Sequence, residues 1–500
     1  MAIACYLYGS DGLPEHKDIK YDIDLIDIEA AFLEGKLPKP VYIEFPPGLL
    51  ETGIITKDES KTKCIKLLNG MYGDPQSALQ FFKVYVNHMK EKGGYMQSRM
   101  DPSVLYKKNS DGVTTLIAVM HVDDTLLVGT KDAIEDYKTV VKDRFGYTEE
   151  GFHKHLGVWY QRLNDENGET IVVASMPDNI NGIISTYEDH IGKEVKTSNT
   201  PGSPGLSMQK NEDETIDAKM YRRIVGQIMY VVCKILPEAS NAARELARHF
   251  ANPGKLHWVE LGKLVGYLKK NREDIKLTYR KPKEMRVVVM SDSNFATNQD
   301  DRRSVSGGLH TLGGVLCNWL SKTQGLVTRS STEAEYVAAT LNASELKFMQ
   351  MFLEEVFFVK TPGLILEDNM ACIYLIRNKK VGERTKAIQV RMHWIREAFE
   401  KEEFNIDYVK TDQNESDIGT KNVDEKLQSK FSDRLRNGKL RIYQDWENIM
   451  KHFEVDGHQN GEAVVLDHGR QSDIPMNQVL SDDDTSRDND EDLYYPVGDT

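Results

Sequence analysis

The sequence predicts a multidomain protein of mixed α+β and α/β class, and three observations lead to this prediction. From Lys17 to about Gln161, short apolar runs alternate with helical stretches, which is typical of mixed α and β structure. The segment from about 166 to 284 has a mostly helical pattern. From Arg286 to about Val423, strand-like and helical segments alternate again, and a chain of 500 residues has the length of about three domains.

Each of the three blocks has its own order of elements. In the first we expect a strand at Tyr42–Phe45 and helices over Ser77–Met89 and Lys131–Phe145. A turn-forming run at residues 200–205 opens the second, whose helices are predicted over Tyr221–Leu236, Glu238–Phe250 and His257–Asn271. In the third we expect strands at Val287–Met290, twice within Ser306–Leu320, at Leu364–Leu366 and at Asn405–Val409, with helices at Thr332–Phe352 and at the end.

The charge of the chain is unevenly distributed. The net charge is −14, but the segment Gln471–Thr500 has nine acidic residues and one basic residue and so carries −8 of it. The segment from about residue 456 onward is polar and Asp-rich without periodicity, and we expect it to be disordered. Local basic stretches such as Arg377–Lys386 keep contact with nucleic-acid phosphates possible despite the total charge.

Composition also bounds where the protein works. No apolar stretch approaches the about 18 residues that span a bilayer, and Met1–Gly12 lacks a basic start and a sustained apolar segment, so neither a membrane span nor a signal peptide is expected. The five cysteines are scattered and form no Cys-x-x-Cys pair, which argues against a zinc site or a disulfide framework. A reducing intracellular compartment, cytoplasmic or nuclear, agrees with this usage.

Two adjacent aspartates, Asp123 and Asp124, separate two apolar runs of the first block. The run Leu116–Val122 precedes them and Leu126–Gly129 follows, which predicts a β-hairpin with carboxylates at its tip. Side-by-side carboxylates repel each other unless a cation neutralises them, and Mg²⁺ is the obvious candidate. The alternative is an ordinary solvated turn, because Asp is a common turn residue.

Four acidic residues of the third block fall at the ends of predicted strands or on predicted helices. Asp292 and Asp368 each follow an apolar strand, Glu335 lies within the helix that begins at Ser330–Thr332, and Asp417 opens the last helical segment. Carboxylates so placed can converge on two Mg²⁺ ions, which stabilise the attacking and leaving oxygens in phosphodiester hydrolysis. Taken singly, each could instead be a surface residue, because acidic side chains are rarely buried unpaired.

A resemblance to a known family joins the two groups of acids. The chain resembles the reverse transcriptase and ribonuclease H region of copia-type retrotransposon polyproteins over roughly its first 425 residues. The motifs that carry the resemblance follow in the family's order. They are Asp27–Gly35, Val41–Ile43 with Pro46–Gly48, Met71–Gly73 with Gln76, Val122–Asp124, Leu156–Gly157, Thr200–Pro201, Tyr221–Arg222, Gly226, His257–Trp258, Tyr267–Lys269, Asp301–Gly307, Ser330–Tyr336, Asp368–Asn369 and Asp417–Lys421.

The resemblance implies roles for the residues of the first block. Asp27, Asp123 and Asp124 would be palm carboxylates that hold two Mg²⁺ ions while a primer 3′-hydroxyl attacks a deoxynucleoside triphosphate. Phe32 looks like the aromatic steric gate that rejects a ribose 2′-hydroxyl, although a core Phe beside Ala30 and Ala31 is an equal alternative. Gln76 resembles the family's glutamine near the incoming nucleotide and template, and the alternative is an exposed residue at a helix start.

In the third block the resemblance implies a ribonuclease H. Asp292, Glu335, Asp368 and Asp417 would form its metal-binding quartet, again with two Mg²⁺ ions, and would cut the RNA strand of an RNA–DNA hybrid. The implied partners are an RNA template, a DNA primer, the RNA–DNA hybrid and deoxynucleoside triphosphates. The implied domains are a palm with its fingers mostly missing (1–165), a helical thumb or connection (166–285), a ribonuclease H-like domain (286–425), a helical extension (426–455) and the disordered acidic tail (456–500).

Three functions remain open from the sequence. The first is a polymerase with attached ribonuclease H. The second is a ribonuclease H beside an inert polymerase part, because only 26 residues precede Asp27 whereas the family has a basic fingers region there. The third is a decayed retroelement product that binds nucleic acid without catalysis.

Overall fold

The first unit of the structure is a six-stranded antiparallel sheet. The computed structural model describes residues 3, 20–149, 151–378 and 389–455, so the expected tail and most of the basic stretch 377–386 lie outside the described residues. The strand order is β4-β5-β6-β7-β1-β8. Its strands are β1 (Asp22–Ile28), β4 (Met96–Gln97), β5 (Val104–Lys108), β6 (Thr114–His121), β7 (Asp124–Gly129) and β8 (Tyr147–Glu149).

Several helices and a small sheet complete this unit. The strands β2 (Lys36–Ile43) and β3 (Ile65–Asn69) pair as a separate two-stranded sheet. The long helix α4 (Pro75–Gly93) begins where Asp74 accepts a hydrogen bond from the Gln76 backbone, with Pro75 as its first residue, and ends before the left-handed Gly94. The helices are α1 (Ala31–Glu34), α2 (Pro47–Glu51), α3 (Lys57–Thr62), α4 (Pro75–Gly93) and α5 (Lys131–Lys142).

The second unit combines a four-stranded sheet with helices. The strand order β12-β11-β10-β9 joins β9 (Lys154–His155), β10 (Val158–Asn164), β11 (Thr170–Ser175) and β12 (Leu277–Tyr279). The helices are α6 (Pro177–Ile191), α7 (Ala218–Ile235), α8 (Ser240–Ala247) and α9 (Lys255–Asn271), with a 3₁₀ turn at Pro237–Ala239. None of the helices in the described part of the chain is long and apolar enough to cross a bilayer.

The second block is thus less purely helical than the sequence predicts. The boundary expected between residues 165 and 166 falls inside the turn of the β10–β11 hairpin. The Asp165 carboxylate accepts hydrogen bonds from the backbones of Asn167 and Glu169, which closes this turn. The strands of this sheet are short and β11 carries a continuous apolar run, Ile171–Ala174, whereas the helices that follow are long, so the sequence pattern favours a helical block.

The third unit is a five-stranded mixed sheet. In the order β15-β14-β13-β16-β17, the first three strands are antiparallel, and β13, β16 and β17 are parallel. Its strands are β13 (Val287–Asn294), β14 (Val305–Leu312), β15 (Val315–Thr323), β16 (Gly363–Glu367) and β17 (Phe404–Tyr408). Its helices are α10 (Ser331–Phe357), α11 (Met370–Arg377), α12 (Gln389–Glu400), α13 (Glu425–Arg436), α14 (Arg441–Gln444) and α15 (Trp446–Val455), with 3₁₀ turns at Thr411–Gln413 and Glu415–Gly419.

The three units share their hydrophobic cores. One face of the first sheet packs on α4 and α5, and the other face packs on the third unit, so Ile23 and Leu126 lie in one core with Leu353 and Val356 of α10. The helices of the second unit share another core with the opposite face of the third sheet. The Glu355 carboxylate accepts hydrogen bonds from the Ser98 hydroxyl (2.6 Å) and the Arg99 backbone (2.9 Å), which ties α10 to the first unit.

Candidate active sites

The third unit brings three of its predicted acids together. Asp292 lies near the end of the central strand β13, Asp368 directly follows the parallel neighbour β16, and Glu335 approaches from α10. One carboxylate oxygen from each lies within 4.8 Å of the others. Asp292 and Glu335 are only 3% and 7% exposed. Residues of three separate elements therefore converge at one point, which is the spacing that oxygen ligands adopt around a hard cation.

Asp417 lies beside this group, on a 3₁₀ turn. The sequence predicted that it opens a helix, but the turn Glu415–Gly419 is only five residues long. Its carboxylate forms an ion pair of 2.8 Å with Lys421, and the Thr420 hydroxyl donates to Asp292. The charge of Asp417 also contributes to raising the pKa of Asp292. All four acids of the predicted quartet thus lie close together, and Lys421 supplies one positive charge.

The electrostatics of the cluster fit a cation site. Burial, and then the charges of Asp417 and Glu335, raise the pKa of Asp292 well above its usual value. Burial and the charge of Asp368 raise the pKa of Glu335 to about 8. One buried oxygen of Glu335, Oε2, makes no hydrogen bond. Carboxylates packed together at this density need more positive charge than Lys421 provides, and a divalent cation would supply it.

Glu367 also belongs to the cluster, and sequence reasoning missed it. It is the last residue of β16 and is completely buried. Its pKa is raised by burial and then by the charges of Glu335, Asp368 and Asp292, in that order. The Glu367–Asp368 doublet at a strand end was the available signal, but only its second acid was taken as a candidate.

The first unit places the aspartate hairpin as predicted. β6 and β7 are joined by a two-residue turn of Val122 and Asp123, and Asp124 begins β7. Val122 has a φ of +57°, a strained conformation for a β-branched residue. Asp27 of β1 is the direct cross-strand partner of Asp124, and the Ile28 backbone donates to the Asp123 carbonyl (3.0 Å). Cross-strand partners point to the same face, so the structure brings the side chains of Asp27 and Asp124 together, with Asp123 next to them in the turn.

The acidic side chains at the aspartate hairpin are less closely grouped than those of the third unit. In the part of the chain that the structure describes, Asp292, Glu335 and Asp368 form the only group of three or more residues spaced to bind a metal. Asp27, Asp123 and Asp124 are each partly exposed. A cation at the hairpin would therefore also need ligands from water or from a bound substrate.

A second-unit helix reaches the aspartate hairpin. The Tyr230 hydroxyl of α7 donates to the Leu156 carbonyl (2.7 Å) in the turn between β9 and β10. Leu156 has a φ of +48° and Gly157 a φ of +74°, so this turn is held in the left-handed region. Burial, and then the charge of Asp124, raise the pKa of Tyr230. Tyr230 therefore connects α7 to the backbone beside the carboxylates, a contact that local sequence patterns do not reveal.

Phe32 and Gln76 lie on the two helices that follow β1 and, after a loop, β3. The Phe32 ring is partly exposed and contacts the Tyr72 ring, with centroids 4.8 Å apart and planes at 51°. Phe32 is outside the buried clusters of the first unit, whereas its neighbour Ala31 is fully buried. Gln76 is exposed in the first turn of α4.

The chain is similar to known proteins over about four fifths of its length. Residues 17–187 match the family described as reverse transcriptase (RNA-dependent DNA polymerase). The retrovirus-related Pol polyprotein from transposon TNT 1-94 of Nicotiana tabacum is 29% identical over 413 residues, which cover 80% of this chain and 30% of the relative. The Pol polyprotein from transposon RE1 of Arabidopsis thaliana is 27% identical over 421 residues, covering 84% and 28%. The chain is thus similar to Pol polyproteins of plant retrotransposons.

This similarity confirms the resemblance predicted from the motifs. The chain spans 30% and 28% of the length of the two polyproteins. Among solved structures, it is similar to the foamy viral protease-reverse transcriptase in complex with RNA/DNA hybrid, with 12% identity, a TM-score of 0.41 and coverage of 82% of this chain and 45% of that one. It is also similar to LC11-RNase H1, with 13% identity, a TM-score of 0.23 and coverage of 27% and 93%.

Proposed function

We propose that the chain is a reverse transcriptase segment with two centres, an RNA-directed DNA polymerase at the β6–β7 hairpin and a ribonuclease H in the third unit. The convergence of Asp292, Glu335 and Asp368 within 4.8 Å is the observation that carries this proposal. The expected domains are a palm built on the first sheet, a thumb or connection built on the second unit, and a ribonuclease H-like third unit. The substrates are an RNA template, a DNA primer, deoxynucleoside triphosphates and RNA–DNA hybrids.

In the nuclease centre the chain supplies anionic oxygens in a buried setting. Asp292, Glu335, Asp368 and Asp417 would hold two Mg²⁺ ions, which when bound stabilise the attacking and leaving oxygens of the phosphodiester. The Thr420 hydroxyl fixes the orientation of Asp292, and Lys421 fixes that of Asp417. Hybrids are recognised mostly by backbone shape and 2′-hydroxyl groups, so this centre requires little base specificity.

In the polymerase centre the residues position the reacting groups. Asp27, Asp123 and Asp124 would hold two Mg²⁺ ions beside the primer end, on a hairpin whose turn is held by strained backbone. Phe32 would exclude a ribose 2′-hydroxyl by steric collision. Gln76, in the first turn of α4, would donate and accept hydrogen bonds at the nucleotide or template.

Two reciprocal substitutions in the full chain test the proposal. D124N should abolish extension of a DNA primer on an RNA template and leave cleavage of an RNA–DNA hybrid, and D292N should do the reverse. D111N, in the exposed turn of the neighbouring β5–β6 hairpin, and D412N, on the exposed 3₁₀ turn before Asp417, are matched controls that should change neither activity. Hybrid cleavage that persists in D292N would refute the nuclease assignment.

A second candidate function is a ribonuclease H without polymerisation. The observation that favours it is the difference between the two centres, because the spacing expected of a metal site is found in the third unit within the described residues. Magnesium-dependent hybrid cleavage by the wild-type chain, with no template-dependent incorporation under any primer or nucleotide concentration, would select this function over the first.

A further inference from the structure

Glu367 carries a carboxyl group that the proposed quartet does not use. The residue is 0% exposed. Its Oε1 accepts a long hydrogen bond from the Asn369 backbone (3.3 Å), whereas its Oε2 is buried and makes no hydrogen bond. A buried carboxylate oxygen without a partner costs free energy, because it has lost its contacts with water. Such an oxygen needs an explanation beyond packing.

The alternation of β16 shows where this side chain points. Leu364 and Leu366 belong to the core beneath the sheet, whereas Ile365 belongs to the core on the α10 side. Since successive strand residues face opposite sides, Glu367 lies on the same side as Ile365. Glu335 projects from α10 on that side, and its charge is the largest electrostatic influence on Glu367 after burial. The Glu367 carboxyl group therefore faces Glu335, the member of the carboxylate cluster that α10 contributes.

We propose that Glu367 is a fifth carboxyl group of the nuclease centre, a positioning residue whose free oxygen accepts a hydrogen bond from a cation-bound water beside Glu335. This inference rests on the proposed ribonuclease H function. Groups that hydrogen-bond the ligands of a metal orient them and raise its affinity, and their loss typically lowers the affinity by roughly 10–100-fold. A buried glutamate directly beside Asp368 is placed for that role.

A positioning role and a purely structural role of Glu367 predict different effects of E367Q on the stability in EDTA and on the Mg²⁺ dependence. Without divalent cation, Glu335 and Glu367 each keep a buried acceptor oxygen that makes no hydrogen bond, so E367Q, whose amide can donate to Glu335, should raise the thermal stability of the chain measured in EDTA. With Mg²⁺, the same substitution removes an acceptor, so the Mg²⁺ concentration that gives half of the maximal thermal shift should rise about tenfold. A residue that only stabilises the fold would lower the stability in EDTA and leave the Mg²⁺ dependence unchanged.

The experiment compares wild type, E367Q, E367D and the control E354Q by thermal shift in EDTA with added MgCl₂, and by hybrid cleavage over a range of Mg²⁺ concentrations. Glu354 lies on the same helix as Glu335 but nineteen positions further along. We expect hybrid cleavage by E367Q to recover at high Mg²⁺, and E367D, which keeps the charge but shortens the side chain, to fall between E367Q and wild type.

The outcomes separate this inference from the function on which it rests. An unchanged Mg²⁺ dependence in both E367Q and E367D would overturn the role of Glu367 while wild-type cleavage and its loss in D292N still support the nuclease. If the wild type shows neither a Mg²⁺-dependent shift nor cleavage, the proposed nuclease itself fails. Should E367Q not fold, the Mg²⁺ dependence of E367D decides alone.

Discussion

Replacing Glu355 by glutamine should loosen the junction between the first and third units. The Glu355 side chain is 7% exposed and lies near the end of α10. It accepts hydrogen bonds from the Ser98 hydroxyl (2.6 Å), the Arg99 backbone (2.9 Å) and the Met100 backbone (3.4 Å). The Arg99 guanidinium is also within 3.3 Å, but its side chain is 85% exposed and that ion pair contributes little.

The magnitude follows from the kind of bonds that are lost. A hydrogen bond to a charged group contributes about 1.5–3 kcal/mol, whereas one between neutral groups contributes about 1 kcal/mol. In E355Q one oxygen remains as a neutral acceptor, and the other is replaced by an amide donor that faces a second donor, the Met100 N–H. We therefore expect the free energy of unfolding to fall by about 2–3 kcal/mol at pH 7.

The pH dependence has a defined sign. Burial raises the pKa of Glu355, but the hydrogen bonds from Ser98, Arg99 and Met100 outweigh it and hold the pKa below its usual value. A carboxyl group whose pKa is lowered in the folded state stabilises fully above its unfolded value of about 4.3 and loses this effect as the pH falls through the folded value. The difference between wild type and E355Q should therefore be constant from pH 7 to about pH 5 and shrink only at lower pH.

Urea-induced unfolding followed by tryptophan fluorescence measures this difference. E354Q is the matched control, because the Glu354 side chain makes no hydrogen bond or ion pair with the residues that the structure describes. Equal unfolding midpoints for E355Q and E354Q, or a difference that does not shrink in acid, would refute the account of this junction.

Three further predictions concern the two centres. Y230F should lower primer extension about fivefold, because a hydrogen bond of about 1 kcal/mol to the Leu156 turn is lost. Hybrid cleavage should stay unchanged. Equal losses in both assays would contradict a positioning role of Tyr230 in the polymerase centre. F32V should raise ribonucleotide relative to deoxynucleotide incorporation in single-nucleotide kinetics, and an unaltered ratio would exclude Phe32 as the steric gate. Burial and Asp368 raise the pKa of Glu335 to about 8, so the stability of the wild type in EDTA should fall as the pH rises from about 4.3 to 8. E335Q lacks this titrating group, so its gain in stability over the wild type should grow over the same range. A gain that stays constant with pH in thermal denaturation would argue against the raised pKa of Glu335.

Much of the local structure could be predicted from periodicity. The apolar runs around Asp123 form the expected hairpin, and the helix that carries Glu335 begins one residue from the predicted start, because Ser330 caps it. The strand that contains Asp292 and the strand that precedes Asp368 also lie where their apolar runs predict them. These features depend on residues that are close in sequence, so local sequence patterns predict them.

The features that escaped prediction depend on contacts between distant segments. In the β10–β11 hairpin, β11 carries the continuous apolar run Ile171–Ala174 instead of an alternating pattern, so it gives a weak period-two signal beside strong helices. Glu367 is a buried acid whose role depends on α10 packing over β16, and Tyr230 meets Leu156 across 74 positions of sequence. Cross-strand pairing of Asp27 with Asp124 likewise joins residues that no local pattern connects, and only the family resemblance anticipated it.

The core shared by Ile23, Leu126, Leu353 and Val356 has a practical consequence for dissecting this protein. A fragment cut at the boundary near residue 286 would expose the apolar side chains that the first sheet now covers, and a fragment of the first unit alone would expose the opposite half. Large exposed apolar patches cause aggregation. We therefore expect separately expressed pieces to be poorly soluble. When co-expressed, they should form a stable complex in which each fragment buries the exposed apolar surface of the other.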